Sequence, residues 1–307
     1  MSKYYKSKSI KIESTGKKIE LLIFQPTLNA NPQNKTPAIL WIHGGGYITG
    51  MARMIYMSRA ISLVKKYGAV VVTPEYRLSN EAPYPAALED CYATLKYLKE
   101  HCDELGANSS QIMVGGESAG GGLAAALCMY ARDKGEVKIA FQMPLYPMID
   151  NLDTESSRDN HAPVWNTKLN HFGWKKYLGD LYGKDVPPYA AAARQTDYSN
   201  LPPAYTFVGD IEPFYCETLT YIDNLKSAGI EAKVDVYPNC FHAFDMLTPF
   251  RKVSKEAIAK FEKEYLNACE KYFAEQNNRF VVCLMSFAEF GRHSEFIIEV
   301  SKRTVWI

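Results

Sequence analysis

Short β-rich runs alternating with longer helical patterns predict an α/β fold, with a mostly parallel central sheet flanked by helices. The runs at 38–42 and 69–73 are nearly continuous in apolar residues, the pattern of strands covered on both faces. Between such runs, apolar residues recur at i+3 and i+4, as in Leu88, Tyr92, Leu95, Leu98 and Cys102.

In chain order, the first residues are polar apart from two apolar strips, 10–12 and 19–24, parted by the turn-like Ser14-Thr15-Gly16. Strands are expected at 38–42, 69–73, 112–115, 139–143, 204–209 and 232–237. Pro85 opens a helix running to Leu105, with Gly106 after its end. Further helices are expected at 118–132, 214–228 and 252–273. The stretch 150–203 breaks the rhythm; it is rich in Asn, Asp, Tyr, Trp and Pro and helical only around 168–178. A connection of that size inside a compact domain marks a functional segment. Residues 1–275 therefore read as one domain. A tail, 276–307, follows with apolar strips at 280–287 and 296–300, and three roles stay open for it: an added edge strand, self-association into a homo-oligomer, or a poorly ordered extension.

Composition narrows the function. The 307 residues are 47% hydrophobic and 13% aromatic, against disorder. With 35 basic and 34 acidic side chains the net charge is +1, and no basic patch points to nucleic acid. No apolar run approaches the ~18 residues of a membrane span, and residues 1–5 lack the apolar core of a secretory signal. Seven cysteines, scattered and odd in number, suit reduced thiols in the cytoplasm better than a disulfide frame or a zinc site.

The sharpest local signal is Gly116-Glu117-Ser118-Ala119-Gly120, placed directly after one expected strand and directly before a helix. So tight a turn strains the serine's backbone, forbids side chains two residues to either side, and exposes the hydroxyl of Ser118 at the sheet's carboxyl edge. The helix N-terminus and the amide of Ala119 then face any negative charge forming there. A loose match of Gly120, Gly122 and Ala125 to a dinucleotide fingerprint fails, because the next strand runs into Met143-Pro144-Leu145 with no acidic residue for a ribose. A second signal is His43-Gly44-Gly45-Gly46, following the strand at 38–42. Its glycines let backbone N–H groups approach a ligand, and the amides of Gly44, Gly45 and Ala119 are assigned to an oxyanion hole. His43 is read as bracing this loop.

A serine nucleophile needs a base, and the base an orienting acid. Of the histidines downstream, only His242 follows a strand through a short polar turn; His161, His171 and His293 read as surface residues. The acid belongs after the strand at 204–209, where Asp210 and Glu212 fall on one side of an extended segment and are not separated by alternation.

The chain resembles the hormone-sensitive-lipase-like esterases, a family of the alpha/beta-hydrolase fold. The resemblance rests on His43-Gly44-Gly45-Gly46-Tyr47, Tyr76-Arg77-Leu78, Pro85-Ala86-Ala87-Leu88-Glu89-Asp90, Gly116 to Gly120 and His242-Ala243-Phe244. It spans about 37–273. The family carries its triad acid in an Asp-Pro-Leu segment, which aligns with Glu212-Pro213-Phe214, so the resemblance implies Glu212 as the acid. Glu for the family's Asp is a departure, as are Glu117 for Asp and Ala243 for Gly. The resemblance also implies a cap drawn from about 1–34 and 150–203, with Trp165, Phe172 and Trp174 as candidate pocket residues. The expected activity is hydrolysis of short-chain carboxylic esters, a small-molecule substrate, through an acyl-enzyme, with no cofactor and no metal ion. An amidase or formamidase on the same triad, and a catalytically silent ligand-binding relative, are the alternatives.

Overall fold

In the computed structural model, which describes residues 2–27 and 36–275 and the backbone of 299–300 and 303–304, the expected runs pair into one eight-stranded sheet. Its elements in chain order are β1 (Tyr5–Ser14), β2 (Lys17–Pro26), β3 (Thr36–Ile42), α1 (Ala60–Tyr67), β4 (Val70–Pro74), α2 (Ala86–Glu100), α3 (Cys102–Leu105), β5 (Ala107–Glu117), α4 (Ala119–Lys134), β6 (Phe141–Leu145), α5 (Thr167–Leu178), β7 (Ala204–Gly209), α6 (Tyr215–Ser227), β8 (Ala232–Tyr237), α7 (Phe244–Leu247) and α8 (Lys252–Lys271). The spatial order is β1-β2-β4-β3-β5-β6-β7-β8. The β1–β2 and β2–β4 pairs are antiparallel, and every pair from β4 through β8 is parallel. By internal contacts the chain divides into Met1–Asn277 and Asn278–Ile307.

The unbroken apolar runs follow from the layers. Side chains alternate across a strand. Ala38, Leu40 and Ile42 of β3 therefore pack into one cluster with Leu95 of α2 and Leu127 of α4. Ile39 and Trp41 pack into another with Leu63 of α1 and Phe261 of α8. Both faces are covered, so neither parity of the strand can be polar.

Three expectations change. The segment expected in the cap from 1–34 is, over its described residues, a hairpin of the sheet itself: β1 and β2 extend the antiparallel edge, with Leu21 and Ile23 buried in the same cluster as Val70 and Val72. The single helix from 85 to 105 is interrupted at His101, which leaves helical angles (φ −109°, ψ 12°) and stacks its ring on Tyr97 at 3.9 Å. An unanticipated helix, α1, lies between β3 and β4. It is short and lacks a side-chain N-cap, and its clearest sequence mark is Gly68, whose left-handed backbone (φ 70°) ends it.

The expected strip at 280–287 and His293 lie outside the described residues. Of the strip at 296–300, Glu299–Val300 pairs antiparallel with Arg303–Thr304. Among the described residues no helix is long and apolar enough to cross a membrane.

Leu40 is fully buried in the central strand, whereas Leu266 of α8 is 41% exposed. Leu40→Ala should lower unfolding free energy by about 2–5 kcal/mol, and Leu266→Ala by about 0.5 kcal/mol or less. Urea denaturation of the two variants checks the contrast.

Candidate active site

The loops at the carboxyl ends of β3, β5, β7 and β8 converge on Ser118. This residue links β5 to α4 with φ 58° and ψ −122°, a strained conformation for a residue with a side chain. Close approach of three backbone segments enforces it. A Cβ on Gly116 would lie 2.5 Å from the carbonyl oxygens of Gly120 and Ile42, and one on Gly120 would lie 2.1 Å from that of Ile42. Both glycines of the motif are thus required by the end of β3 as much as by the turn. The Ser118 amide donates to Leu145 O of β6 at 3.0 Å, tying the elbow to the neighbouring strand on its other side.

The three sequence-predicted side chains are brought together. Ser118 Oγ lies 2.9 Å from His242 Nε2, and His242 Nδ1 hydrogen-bonds Glu212 Oε2. A carboxylate accepts, so Nδ1 carries the proton and Nε2 is left as acceptor for the serine hydroxyl. Glu212 is fully buried, and its Oε1 accepts the Gly209 amide at 2.9 Å, which fixes the carboxylate plane from the end of β7. Asp210, the other candidate, is turned away: its Oδ1 accepts the Asn239 amide at 2.6 Å and so braces the turn that delivers His242. The imidazole is held edge-to-face between Tyr146 (5.1 Å) and Phe214 (5.0 Å). Sequence reasoning missed both aromatics, although Phe214 stands in the acid-bearing segment.

The glycine loop after β3 curls over Ser118. A Cβ on Gly44 would sit 2.8 Å from Glu117 O and 3.2 Å from Ser118 Cβ; one on Gly45, whose φ is 123°, would sit 2.1 Å from Thr49 O. Among the described residues the N–H groups of Gly44 and Gly45 have no acceptor. His43 is buried, stacks on Tyr76 at 4.2 Å and donates from Nδ1 to Gly44 O at 2.8 Å. Burial lowers its pKa to about 4, so the ring is neutral at pH 7. Its predicted bracing place is where the structure puts it.

A second buried acid adjoins Ser118. Glu117 accepts Trp41 Nε1 at 2.7 Å and the Arg59 amide at 3.3 Å. Arg59 Nε lies 3.2 Å from Asp245, three residues beyond His242. Burial, with the charge of Asp245 nearby, pushes the Glu117 carboxyl up to about 8; burial also raises Asp245, against the pull of Arg59. This cluster joins the segments bearing Ser118 and His242, and only Glu117 carried a sequence signal, its place inside the motif.

Ser118 and the glycine loop border a cavity of about 220 Å³ whose walls are mostly apolar, including Met54, Ile55, Met57, Met246 and Leu247. Residues 52–57 form a 3₁₀ turn; nothing in their sequence period marked them as a pocket wall. From the segment 150–203, Val164 and Trp165 close the cavity over His242, and Trp165 packs against Gly46 so tightly that a Cβ there would meet its ring at 2.1 Å. The other two aromatics expected there do not reach it. Phe172 is exposed, and Trp174 is buried against Tyr47 and Tyr177. The segment is stitched to the acid-bearing loop: Ser156 Oγ donates to Pro213 O at 2.7 Å, and Asn160 Nδ2 donates to Ile211 O at 3.0 Å. His171 pairs with Asp153 and His161 with Asp159, away from Ser118. Among the described residues no group of three His, Cys, Asp or Glu side chains is arranged to hold a metal ion.

Known proteins resemble this chain along most of its length. A family model described as alpha/beta hydrolase fold matches residues 39–246. Esterase LipI of Mycobacterium tuberculosis is 31% identical, over 69% of this chain and 67% of its own. Carboxylesterase NlhH of the same species is 30% identical, over 69% and 67%. A solved structure titled Bacterial Heroin Esterase superposes with a TM-score of 0.81 at 33% identity, covering 86% of this chain and 84% of the other.

The raised pKa of Glu117 has a sign that can be tested. Below the ordinary carboxyl range, about 4.3, folded and unfolded chains both hold this proton and its burial costs little. As pH rises toward 8 the unfolded chain releases the proton while the folded one keeps it, so stability falls across that window. Glu117→Gln should remove this part of the decline, on the order of a few kcal/mol. The difference in urea midpoint between the two proteins, followed from pH 4.5 to 8.5, measures it.

Proposed function

The chain belongs to the hormone-sensitive-lipase-like family of alpha/beta hydrolases, and from that premise we propose that Ser118, His242 and Glu212 carry its catalysis. The reaction is hydrolysis of a carboxylic ester. The observation that supports the reading is the unbroken relay from a strained, cavity-facing serine through an imidazole to a buried carboxylate.

In this mechanism Ser118 Oγ attacks the ester carbonyl while His242 Nε2 takes its proton. Glu212 holds the Nδ1–H tautomer and stabilises the imidazolium that forms. Negative charge moves to the carbonyl oxygen, where the amides of Gly44, Gly45 and Ala119 receive it; each such donor contributes roughly 3 kcal/mol in comparable sites. The imidazolium then protonates the leaving alcohol. Water, deprotonated by the same imidazole, releases the acid from the acyl-enzyme. The rings of Tyr146 and Phe214 limit rotation of the imidazole, so both proton transfers use one geometry. The small apolar cavity supports a short acyl chain. Cys91, Cys128, Cys216, Cys240 and Cys269 are free thiols, which supports a reducing, cytoplasmic setting.

Ser118→Ala should lower kcat on an aryl acetate by at least about 10⁴-fold with an unchanged circular dichroism spectrum. Glu212→Gln should cost roughly 10⁴-fold and Asp210→Asn less than about tenfold; the reverse ranking would assign the acid to Asp210. Across p-nitrophenyl esters from acetyl to dodecanoyl, kcat/KM should be highest at two to four carbons and fall at least about tenfold by twelve, the scale of an overfilled cavity.

A further inference from the structure

Between the long segment and the acid-bearing loop stands one side chain with both ends of its amide engaged. Asn160 opens an Asx turn, its Oδ1 accepting the Ala162 amide at 2.9 Å. Its Nδ2 donates to two carbonyls, Ser156 O at 3.0 Å and Ile211 O at 3.0 Å. An N–H opposite Oδ1 and two carbonyls opposite Nδ2 settle which way the amide points. The main chain of the same residue closes a loop: the Asn160 amide donates to Thr167 Oγ1 at 2.7 Å, and the Thr167 amide donates to Asn160 O at 3.1 Å. Val164 and Trp165, which line the cavity with His242, lie inside that loop. Val164 keeps a φ of 73° there, which a β-branched residue rarely adopts.

The carbonyl that Asn160 holds is the one next to the acid. Ile211 O shares a rigid peptide plane with the nitrogen and Cα of Glu212, so a donor on that oxygen fixes where the Glu212 side chain starts. The Ile211 amide in turn donates to Cys240 O at 3.4 Å, two residues before His242. Ser156, by contrast, meets Pro213 O and the Cys216 amide, beyond the acid. We propose that Asn160 is a positioning residue for catalysis, acting through the Ile211 carbonyl to hold the Glu212 carboxylate in register with His242. The Gly209 amide orients that carboxylate at Oε1, and Asn160 orients the backbone from which it projects.

This role rests on Glu212 being the triad acid, and a double-mutant cycle keeps the two apart. Asn160→Asp retains the acceptor for Ala162 but sets a charged oxygen against two carbonyls; Asn160→Ala removes the donor and adds no charge. Each is assayed on an aryl acetate, alone and combined with Glu212→Gln. Alone, Asn160→Asp should lower kcat and kcat/KM together by about 10- to 100-fold with KM unchanged, the mark of a misplaced catalytic group. Asn160→Ala should lower both in the same way by a smaller factor. Combined with Glu212→Gln, either change should cost about twofold or less, because the carboxylate it aligns is gone. A merely structural role would not depend on the side chain at 212, so an equal loss in both backgrounds would overturn the assignment. A raised KM at constant kcat, or full activity in both Asn160 variants, would overturn it as well. Full activity in Glu212→Gln would instead overturn the triad acid, and the role of Asn160 with it. Circular dichroism identifies the folded variants, and Asn160→Ala decides if Asn160→Asp does not fold.

Discussion

The structure depends first on a steric constraint: three backbone segments meet at Ser118 with no room for side chains between them. The carbonyl of Ile42, the turn at Gly116 to Gly120 and the loop at Gly44 occupy space that a single added carbon would invade. That crowding holds the serine in a sparsely populated conformation and sets the glycine loop against it. Strain of this kind, about 1–3 kcal/mol, persists only where the surroundings over-determine it. Here the covered parallel strands supply the rigidity.

Buried carboxyl groups are handled differently on the two sides of Ser118. Glu212 accepts from the imidazole and from the Gly209 amide, both donors aimed at it. Glu117 also has two donors, yet Asp245 stands nearby and burial dominates, so its proton is retained. The same residue type thus serves as a ligand for an imidazole in one place and as a near-neutral strut in the other. The difference arises from what surrounds each carboxyl rather than from depth alone.

The features legible in the sequence were those with a local cause. The elbow could be read because its glycines, strand and helix are contiguous, and β3, β4, β6 and β7 because both faces of the sheet impose apolar runs. The acid could not be chosen by alternation, since Asp210 and Glu212 share a side; what separates them is the Asn239 amide, which engages Asp210 from a turn far along the chain. The strips at 10–12 and 19–24 were visible, but their place beside β4 depends on a partner strand that no local pattern names. The walls at Met54, Met57, Met246 and Leu247 come from two short turns with no periodicity, so the cavity had no sequence signature. Trp165 and Trp174 looked alike in sequence, and only packing against Gly46 or Tyr47 tells them apart.

The stitching of the long segment to the acid-bearing loop bears on how such enzymes diversify. Ser156 and Asn160 clasp the main chain at Pro213 and Ile211, on either side of Glu212. The roof over the pocket and the carboxylate behind the histidine therefore form one mechanical piece. An attempt to alter selectivity by transplanting a foreign roof would unclasp that carboxylate's support, so the exchangeable module is the roof together with residues 211–216, never the roof alone.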